Sequence, residues 1–272
     1  MKIVAASILL LLASASAASQ DLPRKGAGPE LWRLDCGSID VDLDTFSDTG
    51  LYAGQKRTLS ASCYLIRNGD RFLLWDTGLD GALAGKPKDK DGSFLRQRLV
   101  PQLARIGVKP GDITFVGISH YHYDHTGQLP DFTKATLLIG KKDLEVVRSR
   151  DQLKPRFLPW LEQGSKVTEV TGDQDVFGDG RVTMLSMPGH TPGHSALLVR
   201  LASGPVLLSG DQYHFQEQVA NRGVPTFNAD RADTLASHDR FDRLARNVGA
   251  RMIIQHEPRD ISKLPAFPKS AK

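Results

Sequence analysis

Cysteine is scarce in this chain: only Cys36 and Cys63 occur among 272 residues. Two thiols cannot frame a disulfide-dense scaffold, and neither stands near a clustered histidine, which argues against a cysteine-rich structural zinc site. Aromatic residues make up 7% and do not interleave with the basic ones, as a nucleic-acid surface would require. No block of one charge sign occurs either; 35 Lys and Arg against 31 Asp and Glu leave a net +4, which accounts for solubility and little else. Beyond the first residues there is no second long apolar run, no internal repeat and no low-complexity block. Nucleic acid and stable membrane insertion are therefore not expected among its partners.

What the N-terminus does have is one short apolar stretch. Lys2 precedes Ile3 to Leu12, and the small residues Ala13 to Ala18 follow, with Ala15-Ser16-Ala17 fitting a cleavage site. The stretch falls short of the ~20 residues of a membrane span, and its layout is that of a secretory signal peptide. Residues 1–18 are thus read as a signal peptide and 19–272 as a single domain, exported to the periplasm or secreted. An oxidising destination permits a Cys36–Cys63 bridge, but the sequence leaves that pairing open.

The mature part begins strand-rich. "LWRLDCGSIDV" reads as one strand, and "SCYLIRNGDRFLLWDTG" as a hairpin around Asn68-Gly69, a pair suited to a type I′ turn. "SFLRQRLVPQLARIG" has helical spacing, with Gly107 as its stop and Pro101 as a kink or break. "DITFVGISH" is nearly continuous in apolar residues, the mark of a buried strand. "ATLLIG", "KVTEVTG", "RVTMLSMPG", "SALLVRLASGPVLLSGD" and "RMIIQHEP" supply further strands, while "KKDLEVVRSR" and "ADTLASHDRFDRLARNVGA" read as helices. Strand runs with a helix in each half predict two sheets face to face with helices outside.

Against that background the eight histidines are unevenly spread. "SHYHYDHTG" crowds His120, His122, Asp124 and His125 into one turn at the end of an apolar strand. Three other strand segments end the same way: "RVTMLSMPG" at His190, "PVLLSG" at Asp211 and "RMIIQ" at His256. Rigid strands that finish together can aim side chains at one point. Five imidazoles and two carboxylates exceed the four ligands of a closed zinc site and suit two metals sharing a carboxylate. The spacing assigns His120, His122 and His190 to one metal, Asp124, His125 and His256 to the other, and Asp211 between. Nitrogen and oxygen donors favour two divalent ions, zinc first among them, with iron, cobalt or manganese open.

"HYHYDH" matches the H-x-H-x-D-H motif of the metallo-β-lactamase superfamily, and "PGHTPGHS", "SGD" and "QHEP" follow in that family's order. The chain resembles that superfamily over nearly its whole mature length. The resemblance implies an α+β fold, the αββα sandwich of two mixed sheets, with a dinuclear site in a groove at one edge. Asp211 sets the chain apart from true metallo-β-lactamases, which generally lack a bridging aspartate. Glyoxalase II-type thioesterases carry one but differ in their C-terminal part. The stretch from Gln212 to Ser237, with its Val224-Pro225 step before a helix, is most similar to the N-acyl-homoserine lactonase branch. Such lactonases often place tyrosine three positions after the bridging aspartate; here that position is His214, with Tyr213 one residue earlier.

That resemblance implies ring opening of N-acyl-homoserine lactones by a metal-activated hydroxide. Asp124 is the expected proton shuttle, and His214 or Tyr213 the group that orients the carbonyl. Other esters and organophosphate triesters are the alternative substrates, and β-lactams a lesser one. Oxidoreduction at iron, as in flavin di-iron relatives, would need a flavin domain for which the sequence shows no room. Around the cluster, His194 is expected to support a ligand and Asp76 either to hold a ligating histidine or to make an ordinary turn. His238 is expected to be solvated on its helix. Phe132, Phe215 and Phe227 are possible pocket aromatics as well as core residues. Acyl preference and oligomeric state, a homodimer included, are not legible.

Overall fold

The structure is a computed structural model that describes residues 28–272. The expected signal peptide, residues 1–18, lies outside the described residues. Twelve strands are described: β1 (Glu30–Asp42), β2 (Lys56–Asn68), β3 (Arg71–Trp75), β4 (Ser93–Phe94), β5 (Ile113–Ile118), β6 (Thr136–Gly140), β7 (Val167–Val170), β8 (Gln174–Asp175), β9 (Val182–Ser186), β10 (Ser195–Leu201), β11 (Gly204–Leu208) and β12 (Arg251–Ile253). Six α-helices accompany them: α1 (Leu99–Ala104), α2 (Tyr123–Thr126), α3 (Lys141–Ser149), α4 (Lys154–Leu161), α5 (Gln216–Asn221) and α6 (Arg231–Val248). They form a seven-stranded sheet ordered β4-β1-β2-β3-β5-β6-β7 and a five-stranded sheet ordered β12-β11-β10-β9-β8. Both sheets are mixed, as expected: β3, β5, β6 and β7 run parallel, while β1–β2 and β9–β10 are antiparallel.

Alternation along the strands explains why so many read as continuous apolar runs. In β10, Leu197 and Val199 face the other sheet, meeting Leu73, Trp75 and Ile66, while Ala196 and Leu198 pack beneath Phe241 and Ala245 of α6. On the far side of the large sheet, Val116, Ile118 and Leu137 meet Leu103, Leu144, Phe157 and Trp160 of α1, α3 and α4. Both faces of each sheet are thus covered, so a strand needs apolar residues on both. The layers run helix, sheet, sheet, helix.

Several local expectations are corrected. Asn68 pairs with Arg71, so the hairpin turn is Gly69-Asp70. Gly69 has φ 65° and Asp70 is not among the positive-φ residues; one leading glycine is the pattern of a type II′ turn rather than type I′. The helix expected over residues 93–107 is only α1. Pro101 lies in its first turn, where the missing N–H is not needed, and Ser93–Phe94 pairs with β1 instead. Helix α4 lies in a stretch that carries Pro155 and Pro159 and for which no element is predicted from the sequence; Phe157 and Trp160 hold it to the sheet, with Trp160 Nε1 donating to Ala135 O at 3.0 Å. A short α5 likewise interrupts what reads as a polar loop.

Cys36 and Cys63 are joined, with Cα atoms 5.8 Å apart. Cys36 sits where the β1–β2 register shifts between Asp35 and Ser38. Gly37, at φ 114°, completes that bulge, and a Cβ there would meet Phe94 O at 2.6 Å.

Candidate metal centre

The four segments that carry the candidate ligands end at one edge of the sandwich. Strand β11 is parallel to β12 and, through β10, to β9, so the residues after all three emerge on the same side. After β5 the chain turns sharply: His122 is extended and opens the single turn of α2, where its carbonyl accepts from His125 N at 3.2 Å and Thr126 Oγ1 at 2.9 Å. Residues 76–78 clasp that turn. Thr77 N donates to His125 O at 2.7 Å, and Gly127 N donates to Gly78 O at 2.7 Å. Glycine is required at 127, since a Cβ would lie 2.3 Å from Leu79 C.

The side chains fall into the two groups the sequence suggests: His120, His122 and His190 with Asp211, and Asp124, His125 and His256. Asp211 stands between them. Its Oδ2 is 3.3 Å from His190 Nε2 and 3.6 Å from His120 Nε2, while Oδ1 is 3.1 Å from His125 Nε2 and 3.0 Å from His256 Nε2. Asp124 Oδ2 completes the second group, 3.4 Å from His256 Nε2.

Proton bookkeeping shows that these atoms fit cations. His256 Nδ1 is 2.8 Å from Ser60 O, and a carbonyl can only accept, so that nitrogen carries the hydrogen. His125 Nδ1 likewise faces the Asp76 carboxylate at 2.9 Å. In neutral rings both Nε2 atoms are then lone pairs, yet they lie 3.1 Å apart and both face Asp211 Oδ1, a buried oxygen with no donor. His120 Nε2, His122 Nδ1 and His190 Nε2 converge in the same way, at 2.9 to 3.1 Å from one another. Converging lone pairs and an undonated carboxylate oxygen repel unless positive charge sits among them.

The titration directions agree. Burial first, and crowding by other imidazoles, hold His120 and His190 well below the usual histidine range, in the neutral form a metal ligand needs. At His125 and His256 burial works the same way, but the carboxylates of Asp211 and Asp124 outweigh it and raise both. Burial alone would raise Asp211, but His256, His125 and His120 hold it well below the usual carboxylate range. The second group therefore attracts positive charge of either kind, proton or metal ion.

Supporting residues surround the clusters. Asp76, fully buried with φ 59°, accepts from Ser119 N at 2.7 Å, Ser119 Oγ at 2.8 Å and Gln255 Nε2 at 2.7 Å while facing His125. Of the two roles considered for it, the structure shows the first. His194 accepts from Asp211 N at 2.9 Å through Nε2 and donates to Met187 O through Nδ1, a neutral imidazole that burial lowers to about 4. Asp143 on α3 accepts from Thr191 Oγ1 at 2.7 Å and Gly193 N at 2.6 Å, tying the loop after His190 to the large sheet. Asp143, Gln255 and Asn228, which faces His190 Nδ1 at 2.9 Å, carry no signal in the sequence.

A cavity of about 290 Å³ opens onto the clusters, walled by Ile39, Val41, Phe46, Leu59, Tyr123, His214 and Phe227. His214 is brought to it: its ring meets Phe46 edge-on at 5.0 Å, and Nε2 is 3.3 Å from Asp211 Oδ2. Tyr213 is not. The backbone there is extended (φ −139°, ψ 146°), so consecutive side chains point to opposite sides. The Tyr213 hydroxyl instead donates to Asp242 at 3.2 Å.

His238 corrects the expectation of a solvated residue. It is buried, donates through Nε2 to Gln212 O at 2.7 Å, and stacks on Tyr213 at 4.2 Å. Thr234, His238, Phe241 and Ala245 form the inner stripe of α6, a 3.6-residue spacing that was the available signal. Of the three phenylalanines, Phe227 lines the cavity, Phe215 packs behind it against Tyr52 at 5.0 Å, and Phe132 lies in the core under the large sheet.

Comparison with known proteins adds independent findings. Residues 57–256 match the family model described as the metallo-beta-lactamase superfamily. The N-acyl homoserine lactonase AttM of Azorhizobium caulinodans is 32% identical over 179 residues, covering 63% of this chain and 67% of that protein. A solved quorum-quenching N-acyl homoserine lactone hydrolase superposes with a TM-score of 0.78 at 24% identity, over 90% of this chain and 98% of that one. The dizinc quorum-quenching lactonase AidC, solved with a product bound, gives a TM-score of 0.66 at 18% identity, over 90% of each chain. At those identities the two structures speak for the fold.

Proposed function

From the premise that this chain belongs to the metallo-beta-lactamase superfamily and is a hydrolase, we propose that it opens the ring of N-acyl homoserine lactones. The observation that carries this reading is the meeting of two features: a double cluster divided by Asp211, and a largely apolar cavity directly above it. A lactone has the matching two halves, a polar ring with an ester and an apolar acyl chain. The lactonase relative supports the reading.

His120, His122, His190 and Asp211 Oδ2 would hold one divalent ion; His125, His256, Asp124 and Asp211 Oδ1 would hold the other. Zinc suits the donors, and the dizinc AidC supports it. When bound, such ions supply Lewis acidity at the ester carbonyl and bring the pKa of a water down toward neutrality. The protein does the rest. Asp124, at the cavity's edge, takes the proton released on attack and returns it to the departing ring oxygen. His214 offers an imidazole N–H to the carbonyl oxygen as it turns anionic. Phe46, Phe227, Ile39 and Leu59 keep water off the acyl chain.

The same reading has the protein exported by residues 1–18, and the Cys36–Cys63 bond supports an oxidising destination. A second reading, hydrolysis of aryl esters or phosphotriesters, draws on His214 standing where lactonases often carry tyrosine.

The test is turnover of zinc-loaded protein on acyl homoserine lactones of several chain lengths, on aryl esters and on phosphotriesters, each repeated after exhaustive chelation. Ring opening that chelation abolishes is the expected result. Faster turnover of the aryl ester or phosphotriester would favour the second reading. Undiminished activity without metal would overturn both.

A further inference from the structure

The loop between α5 and α6 does more than line the cavity. Residue 227 forms part of the cavity wall, and the next residue turns the other way: Asn228 Oδ1 lies 2.9 Å from His190 Nδ1. Asn228 Nδ2 in turn lies 3.1 Å from Thr234 Oγ1, and Thr234 Oγ1 lies 2.6 Å from Asp230 O. The chain ends on that backbone carbonyl, at the N-terminal cap of α6.

A carbonyl only accepts, and that fixes the direction of every bond in the series. The Thr234 hydroxyl must give its one hydrogen to Asp230 O, so toward Asn228 it can only accept. Asn228 must therefore present its NH2 to Thr234 and its oxygen to His190. The Nδ1 of His190 must then carry the ring proton, which leaves Nε2 a lone pair facing His120, His122 and Asp211.

We propose that Asn228 and Thr234 are positioning residues that decide which nitrogen of His190 is free to bind metal. The proposal rests on the metal reading of this cluster and not on the identity of the substrate. The two ends of an asparagine amide have nearly the same shape, so the oxygen alone does not choose its side. Thr234 chooses it. With the amide turned over, its NH2 would face His190 Nδ1, which would have to accept. The ring proton would then move to Nε2, 3.0 Å from His122 Nδ1 and 3.1 Å from His120 Nε2, in the space a cation needs.

The geometry holds both participants in place. Ala229 N donates to His190 O at 3.1 Å and Asp230 N to Gly189 O at 3.0 Å, so the loop runs alongside the residues it orients. Thr234 is 1% exposed, and water has no access to substitute for its hydroxyl. Gly189 closes the contact: a Cβ there would lie 2.3 Å from Thr234 N.

The experiment measures zinc affinity at each site by competition with a chromophoric chelator, for the full chain and for Thr234→Val, Thr234→Ser, Asn228→Asp and the double variant Asn228→Asp/Thr234→Val. Valine keeps the shape of threonine and removes the hydroxyl. It should weaken one of the two zinc sites roughly ten- to a hundredfold, the usual effect of losing a partner behind a ligating histidine, while serine should keep wild-type affinity. Aspartate offers an accepting oxygen whichever way it turns, so in its presence the valine should cost less than threefold. Equal losses in both backgrounds would mean that Thr234 acts only through packing, and wild-type affinity in Thr234→Val would also overturn the relay. Absence of zinc uptake by the wild-type chain would instead remove the metal reading, and the relay with it.

Discussion

Neighbouring residues 213 and 214 divide their labour by backbone geometry alone. The extended conformation at Tyr213 sends one side chain under α6 and the next into the cavity. Replacement of His214 by phenylalanine keeps the aromatic packing on Phe46 and removes the donor; kcat on a lactone should fall about a hundredfold, in line with loss of one oxyanion donor, with a smaller change in KM. His214→Tyr should recover part of that loss, and steady-state kinetics on the three proteins would decide the matter. An unchanged kcat in the phenylalanine variant would confine His214 to packing. The cluster residues were legible in the sequence because a ligand must be one of few residue types and must follow a rigid strand. Their supporters were not. Asn228 is one polar residue in a polar loop, and Gln255 and Asp143 acquire meaning only when distant segments meet them. His238 misleads for the opposite reason: charged neighbours in sequence hide its place on the buried stripe of α6.

At the scale of elements, the strands announced themselves more clearly than the helices. Covering both faces of each sheet forces near-continuous apolar runs, which are easy to see. Helix α4 is held by tertiary contacts of Phe157 and Trp160 against the local signal of two prolines, and no window of sequence contains those contacts. The hairpin was visible but its register was one residue off, because Asn68 was free either to enter the turn or to end β2. Helix α3 has a further role through Asp143 in its first turn, where burial pushes the carboxyl up to about 7. A carboxyl raised in this way holds its proton more tightly folded than unfolded. Its effect is absent below about pH 4, where both states are protonated. Stability is lost as pH rises from there to about 7, and the loss is complete above it. Asp143→Asn cannot ionise. The wild-type melting temperature minus that of Asp143→Asn should therefore decline between pH 4 and 7 and level off beyond. A flat difference across that range would show that Asp143 ionises freely.

For the whole molecule, the Cys36–Cys63 bond is the one covalent link between distant positions among the described residues. It joins β1 to β2, and Cys36 O accepts from Leu79 N at 3.3 Å, just beyond the clasp on the ligand turn. Closing a loop with a sequence separation of 27 stabilises a fold by about 3.5 kcal/mol in the chain-entropy account. Chemical denaturation should show a loss of that order for Cys36→Ala/Cys63→Ala, matched by wild-type protein under reductant. If the two curves coincide with that of the oxidised wild type, the bond contributes nothing to stability.

The position of β12 has a consequence for how the protein matures. His256 follows the last strand in chain order, and β12 joins its sheet only by pairing with β11, more than forty residues upstream. The Asp124, His125 and His256 group therefore lacks one of its members until residue 256 has been made and that strand has paired. On the two-ion reading proposed above, filling that group is a finishing step, drawn from the ions of whichever compartment the chain completes its folding in.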